Sequence, residues 1–163
     1  MASPSIVWFR DDLRLADNPA LRAALDRGEP VIGLYVLDEE SDGIRPLGGA
    51  AKWWLHGSLA SLGERLRERG STLVLRRGPA ADVVPAVVAD ADAGAVFWNR
   101  RYGGAERDID ADLKSAGQKA STQMHAKSTD AKFFDAIKTP KDVEKTLGTT
   151  LTGWLSPVSS RCS

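Results

Sequence analysis

The chain has 163 residues, which is typical of a single domain, and its 22 Lys and Arg side chains balance its 22 Asp and Glu side chains. Because the formal net charge is zero, no overall field draws the chain to nucleic acid, and we expect no direct nucleic-acid binding. The single cysteine, Cys162, excludes an internal disulfide, and no apolar stretch reaches the ~20 residues that span a bilayer. We therefore expect a cytoplasmic protein without a membrane segment.

The first part of the chain alternates apolar runs with amphipathic stretches. Residues 6–9 form a short apolar run rich in β-forming residues, and a charged loop follows over residues 10–17. Asp17 or Asn18 can cap the helix that begins next. The apolar stretch Val31–Leu37 then predicts a second strand, buried on both faces.

The longest helix is predicted over residues 49–69, where four leucines at helical spacing share one face. These leucines are Leu55, Leu59, Leu62 and Leu66. The pattern then predicts a strand at residues 73–75, a helix at 79–91, a strand at 95–98 and a helix at 105–116. Gly117 is expected to end that last helix, and residues 120–125 are the expected fifth strand.

Successive strand–helix units with apolar strands predict an α/β fold, in which helices cover both faces of a parallel sheet. The composition changes near Gly117: residues 1–117 contain thirteen Arg and two Lys, whereas residues 118–163 contain one Arg and six Lys. We therefore expect one domain over residues 1–126. Residues 127–163 are a poorly specified tail, either a linker or a non-homologous segment.

One string is specific enough to indicate a family. Residues 8–21 read WFRDDLRLADNPAL, which closely resembles the opening strand, loop and helix of the DNA photolyase/cryptochrome family. Residues 31–38, 46–55 and 98–102 resemble the same family in order and spacing, so the resemblance covers about residues 5–117. It implies the N-terminal α/β antenna domain, a doubly wound, Rossmann-like parallel sheet of five strands in the order 3-2-1-4-5.

In that family a larger helical domain follows, which holds FAD and acts on UV-damaged DNA. Its beginning is not recognisable in residues 118–163, so we expect the chain to be truncated before the FAD-binding domain and to carry no repair activity alone. The first reading is the N-terminal domain of a deoxyribodipyrimidine photolyase, which binds an antenna chromophore and braces the missing FAD domain.

Three other readings remain open. The chain is alternatively part of a cryptochrome-type blue-light receptor, or a free-standing module that binds a chromophore or nucleotide. The third is an inactive truncated fragment with a foreign tail. A fragment would expose the apolar surface meant for its partner domain, so we expect self-association through that surface.

Ligands of doubly wound sheets bind beyond the carboxyl ends of the strands, where the strand order reverses. With the implied strand order, the loops at residues 10–17 and 99–104 flank that point. The resemblance further implies an antenna that is a reduced folate, a deazaflavin or a flavin. The expected cofactor-binding residues are Arg10, Leu37, Asp38, Asn99, Tyr102 and Glu106.

Two of these expectations have a structural alternative. In folate-binding relatives a glutamate in the segment matching Glu106 hydrogen-bonds the pterin, but a first-turn glutamate also favours the helix dipole. The charged loop at residues 10–17 is interpreted mainly as bracing, with ligand contact as the minor reading.

The five tryptophans are expected to pack in the core rather than to conduct electrons. We expect no catalytic residue and no metal site, because His56 and His125 lack a ligand cluster.

Overall fold

A computed structural model describes residues 3–124 of the chain, with side chains placed through residue 117. Strands and helices alternate throughout. In chain order they are β1 (Ser5–Phe9), α1 (Pro19–Leu25), β2 (Val31–Leu37), α2 (Gly49–Arg67), β3 (Thr72–Arg77), α3 (Ala80–Asp90), β4 (Ala95–Phe97) and α4 (Gly104–Met124). Within these residues, no helix is both long enough and apolar enough to cross a bilayer.

The strands form one parallel sheet in the order β3-β2-β1-β4. Ser5 of β1 is in register with Val31 of β2 on one side and with Ala95 of β4 on the other. The predicted α/β class and the relative order of the first four strands are therefore confirmed. The predicted count of five is wrong for the described part of the chain, whose sheet has four strands.

The segment assigned to the fifth strand is helical instead. α4 continues through Gly117 to Met124, so it includes residues 120–124, and only His125 of the predicted strand lies outside the described residues. A glycine inside a helix costs only about 1 kcal/mol relative to alanine, and the Gln, Lys and Ala that follow Gly117 are good helix formers. The prediction that Gly117 ends the helix is therefore wrong. The predicted tail at residues 127–163 also lies outside the described residues.

Helices cover both faces of the sheet, and alternate strand residues supply the two cores. On one face, Ile6, Trp8 and Leu34 pack with side chains of α3 and α4. On the other, Val7 and Phe9 pack with side chains of α1 and α2. This division follows from the period of two in strands, which directs neighbouring side chains to opposite faces.

The tryptophans do not all behave as predicted. Trp8 is 4% exposed and meets Trp98 edge-to-face with ring centroids 6.1 Å apart, so both belong to the packed interior. Trp53 and Trp54, by contrast, are 73% and 71% exposed, and the prediction that they pack in the core is wrong. At 3.6 residues per turn they lie roughly 160° and 100° around α2 from the buried leucine stripe.

Gly33 permits the close packing of β2 under α2. A Cβ at this position would lie 2.9 Å from Leu66 Cδ1 and 3.1 Å from the backbone oxygen of Thr72. The neighbouring strand cannot move away without lengthening its hydrogen bonds to β2, so an added methyl group must strain the sheet.

We predict that Gly33→Ala lowers the free energy of unfolding by about 1–2 kcal/mol, as overpacked cores do. Gly57→Ala is the matched control: a Cβ there meets no atom within 4 Å, and α2 gains helix propensity. Urea denaturation should show a loss for the first variant and a gain of up to about 1 kcal/mol for the second. Equal stability of Gly33→Ala and the unaltered protein would contradict the packing account.

Candidate ligand cleft

The carboxyl ends of β1 and β4 are joined by a buried arginine. Arg10, directly after β1, donates hydrogen bonds to both carboxylate oxygens of Asp110 on α4, at 2.6 and 3.2 Å. It also donates to the backbone oxygen of Asn99, which follows β4. The side chains of Arg10 and Asp110 are only 4% and 8% exposed. One guanidinium therefore ties β1, β4 and α4 together, in the paired geometry that a buried charge requires.

Asn99 completes a second set of bonds beside that pair. Its Nδ2 donates to Asp12 Oδ2 and, at 2.9 Å, to Asn18 Oδ1. Its Oδ1 accepts from the backbone N–H of Ala20 at 3.1 Å, in the first turn of α1. Both polar atoms of the Asn99 side chain are thus engaged within the protein. The loop at residues 10–17 has the bracing role that its charge pattern predicts.

The loop between β2 and α2, residues 38–48, is fixed by two carboxylates. Glu39 is paired with Lys52 at 2.7 Å and with Arg77 at 3.3 Å, and its side chain is only 7% exposed. A Cβ on Gly43 would lie 3.0 Å from the Cβ of Ala105, so the loop closes against the start of α4. This contact makes the loop one wall of a cleft.

Asp38, the residue before Glu39, holds the start of the same loop. Its carboxylate accepts hydrogen bonds from the backbone N–H groups of Glu40, Ser41 and Ala80 and from the Ser41 hydroxyl. Burial alone would raise the pKa of Asp38, but these bonds together lower it below the ordinary value. The carboxylate is therefore ionised at neutral pH, and its hydrogen bonds join the loop to the start of α3.

A cleft of about 500 Å³ lies beyond the carboxyl ends of β1 and β2. It has an aromatic and apolar lining with a small set of charged groups. Its lining includes Trp8, Arg10, Asp11, Tyr35, Leu37, Asp38, Arg45, Leu47, Ala51, Trp54, Arg101 and Glu106. The volume falls within the roughly 300–1,000 Å³ typical of small-molecule sites.

The cleft includes four of the six residues predicted to bind a cofactor. Arg10, Leu37, Asp38 and Glu106 line it. Asn99 and Tyr102 are not among its lining residues; Asn99 belongs to the brace, and Tyr102 is 82% exposed.

The sequence interpretation missed the wall formed by the β2–α2 loop and the start of α2. It placed the site between the loops after β1 and β4, whereas the cleft also takes in Tyr35, Arg45, Leu47 and Trp54. A signal was available in the sequence, because tryptophans off the leucine stripe of an amphipathic helix must face solvent or a ligand.

Two charged residues of the cleft have contrasting settings. Arg101 pairs with Asp11 at 2.8 Å across the loops that follow β4 and β1. Glu106 lies in the first turn of α4, and its carboxylate folds over Gly103, where any Cβ would overlap it. That position favours an anion because the first-turn amides point toward it, so the helix-dipole role holds even without a ligand.

Two buried donors stand at the inner wall. Trp8 Nε1 and Arg10 Nε have no hydrogen-bond partner among the described residues, although both atoms are inaccessible. The Arg10 guanidinium carbon also lies 4.6 Å from the centroid of the Trp8 ring. Buried donors without acceptors are uncommon in proteins, and these two lie behind the surface of the cleft rather than on it. No group of three or more metal-ligating side chains occurs within the described residues.

Comparison with known proteins identifies the class. The sequence model of the DNA photolyase family matches residues 5–162. The chain therefore belongs to the DNA photolyase family. This match extends further along the chain than the four strings that first indicated it, which covered about residues 5–117.

Two curated relatives represent the two branches of the resemblance. The chain is 48% identical over 100 residues to the deoxyribodipyrimidine photo-lyase of Agrobacterium fabrum, a span of 61% of this chain and 20% of that protein. It is 45% identical over 101 residues to cryptochrome-1 of Arabidopsis thaliana, 60% of this chain and 14% of that one. The matched segment is thus a fifth or less of either relative.

Solved structures give the same assignment. A bacterial class III photolyase from Agrobacterium tumefaciens matches with a TM-score of 0.67 and 42% identity over 74% of this chain and 24% of that one. The archaeal photolyase from Sulfolobus tokodaii, solved with two FAD molecules and described as implying a novel light-harvesting cofactor, matches with a TM-score of 0.64 and 27% identity. The latter match covers 72% of this chain and 27% of that one.

Removing the carboxylate of the central ion pair should be costly. We predict that Asp110→Asn lowers the free energy of unfolding by about 3 kcal/mol, because it leaves the Arg10 charge buried without its counter-ion. Asp112→Asn, an exposed residue of the same helix, should change it by less than about 0.5 kcal/mol. Urea denaturation of both variants measures the difference; a similar small effect in each would show that the pair does not hold the strand ends together.

The buried Tyr35 predicts a pH effect. Desolvation raises the pKa of Tyr35 from 10.0 to about 12, so the folded chain keeps a proton that the unfolded chain releases. Stability should therefore fall as the pH rises from about 10 to about 12. The chain has two tyrosines, so in Tyr102→Phe the tyrosinate absorbance reports Tyr35 alone. A midpoint near 10 while circular dichroism still shows folded protein would refute the burial argument.

Proposed function

We propose that this chain is the front domain of a deoxyribodipyrimidine photolyase and that its cleft holds an antenna chromophore. The single observation that carries the proposal is the aromatic-lined cleft at the carboxyl ends of β1 and β2 in a chain of the DNA photolyase family. An antenna supplies absorption of blue or near-ultraviolet light. The protein supplies a fixed and partly desolvated binding site for the ring.

The cleft has the properties that a planar conjugated ring requires. Trp8, Tyr35 and Trp54 provide aromatic surface, and Leu37 and Leu47 provide apolar contact. Glu106 is an acceptor for a ring N–H. A mostly apolar cleft with a few convergent polar groups is the usual form of a small-molecule site.

A flavin or a reduced folate fits this set of groups, and so does a deazaflavin. The archaeal photolyase whose structure resembles this fold was solved with two FAD molecules, which supports a flavin as one candidate. Glu106 supports a folate, because a pterin presents adjacent donors to a carboxylate. ATP is disfavoured, since the loop at residues 99–104 lacks the Gly-rich run with a following hydroxyl that cradles phosphates.

The same proposal extends to the rest of the complete protein. In the longer relatives the remaining chain is the part that would hold FAD and act on UV-damaged DNA, and this domain would brace that part. We propose a cytoplasmic location for the protein. The near-zero net charge agrees with DNA contact through that other part. The exposed Trp53 and Trp54 are the surface through which isolated copies would self-associate.

A cryptochrome-type light receptor is the second candidate. The sequence identity to cryptochrome-1 of Arabidopsis thaliana, 45%, is close to the 48% identity to the Agrobacterium fabrum photolyase. Both candidates predict the same antenna cleft. They differ in whether the complete protein splits pyrimidine dimers in DNA under blue light.

Equilibrium dialysis against FMN, FAD, a reduced folate and ATP tests the cleft. We predict retention of a flavin or of the folate and none of ATP. Ala51→Trp should abolish retention, because Ala51 lies in the lining and a tryptophan there fills the cleft. Ala50→Trp is the matched control, since Ala50 is its exposed neighbour on α2 and is not in the lining. Equal retention by the two variants would place any binding elsewhere.

A further inference from the structure

Three pairs of residues in α2 are placed symmetrically about Ala60, and the members of each pair are matched in size or in chemistry. At three, four and seven residues on either side, the pairs are Gly57 with Gly63, His56 with Glu64, and Trp53 with Arg67. At about 100° per residue, positions four and seven away lie within roughly 40° of the direction of Ala60, and positions three away lie about 60° from it. The three pairs therefore share one side of the helix, which we call the Ala60 face.

The larger side chains of the Ala60 face have no partners within the described part of the chain. Trp53 is 73% exposed, and the exposed Glu64 and Arg67 form no ion pair within residues 3–117. The half-buried His56 makes no hydrogen bond there either. Tryptophan and arginine are among the residues most enriched in protein interfaces, so this composition is typical of a contact surface.

The complementary side chains are too far apart to meet within one helix. Trp53 and Arg67 are separated by about 21 Å along the axis, and His56 and Glu64 by about 12 Å. Two antiparallel copies of α2 with a two-fold axis at Ala60 remove this separation, because each residue then meets the residue at the opposite offset in the other copy. Trp53 of each copy lies against Arg67 of the other, and His56 lies against Glu64.

We infer that a second copy of this chain binds the Ala60 face, which gives a two-fold symmetric dimer of antiparallel α2 helices. A two-fold interface requires a surface that is complementary to itself, and the symmetric pairs provide one. Because Ala60 and the flanking glycines are small, the helix axes approach to about 8 Å. At that distance the Arg67 guanidinium lies over the Trp53 ring of the other copy as a cation–π contact, and His56 donates to the Glu64 carboxylate.

This dimer narrows the self-association included in the proposed function, and it does not depend on what the cleft binds. Trp54 lines the cleft and lies outside the Ala60 face, so the second copy leaves the cleft open. Two faces of about four helical turns form a contact smaller than a standard protein interface. We therefore expect a weak dimer, with a dissociation constant on the order of 10–100 µM.

Sedimentation velocity of the full chain, over concentrations that bracket this value, tests the inference. We expect monomer to convert to dimer as the concentration rises. Ala60→Glu should raise the dissociation constant at least about tenfold, because it places two carboxylates against each other on the axis. Ser61→Glu is the matched control: it adds the same charge to an exposed neighbour that points away from the face, and should change the constant less than about threefold.

A second comparison separates the two exposed tryptophans of α2. Trp53→Ala should raise the dissociation constant about tenfold, because it removes the ring that Arg67 of the other copy contacts. Trp54→Ala removes a ring of similar exposure, 71%, that lies outside the Ala60 face. We expect this control to change the constant less than about threefold. Circular dichroism checks that each variant is folded.

A cysteine on the two-fold axis tests the register without altering the charge of the face. In a Cys162→Ser background, Ala60→Cys places two thiols opposite each other within the reach of a disulfide. Oxidised glutathione should therefore join two copies into a covalent dimer. Ser61→Cys in the same background is the control, and it should form this dimer much more slowly because its side chain points away from the axis.

The outcomes are distinguishable. A chain that stays monomeric at every concentration would overturn the inference and leave the face to a different partner. Equal weakening by Trp53→Ala and Trp54→Ala, or equal cross-linking of Ala60→Cys and Ser61→Cys, would place the contact elsewhere and overturn the register. None of these results affects the proposed antenna site, because retention of a chromophore by the cleft is measured separately by dialysis.

Discussion

The ion pair between Arg10 and Asp110 is the interaction on which the functional end of this domain depends. Both side chains are almost fully buried, and the same guanidinium also bonds to the backbone that follows β4. A buried charge is tolerated only when its counter-ion and hydrogen bonds are complete, so the ends of β1 and β4 and the axis of α4 are held at fixed separations. The cleft is the space left beside this brace.

The polar and aromatic residues along the same edge of the sheet fall into two groups. The residues nearest the brace, such as Asn99 and Asp12, use their polar atoms within the protein. Residues farther out, on the β2–α2 loop and the start of α2, are rigidly placed by Glu39 and Asp38 but expose Trp54 and Arg45 at the cleft mouth. Rigid support beneath exposed side chains is the arrangement expected of a preorganised binding site.

The sequence predicted the sheet well because apolar strands and a leucine stripe are local signals. It could not show the partner of Arg10, because Asp110 is 100 residues further along the chain and only the fold brings them together. The error at Gly117 has a different cause: a helical glycine costs little, so composition alone does not end a helix. For Trp53 and Trp54 the helical period itself places both side chains off the leucine stripe, so their exposure is predictable from the sequence.

The central claim is that the edge formed by β1, β2 and α2 is a preformed site for a conjugated ring. The absorption spectrum of the purified protein, recorded after saturation with FMN or reduced folate and removal of the free compound, tests this claim most directly. The account predicts a band at longer wavelength than the tryptophan band, in constant ratio to protein across the peak of a sizing column. A spectrum of tryptophan and tyrosine alone would contradict it.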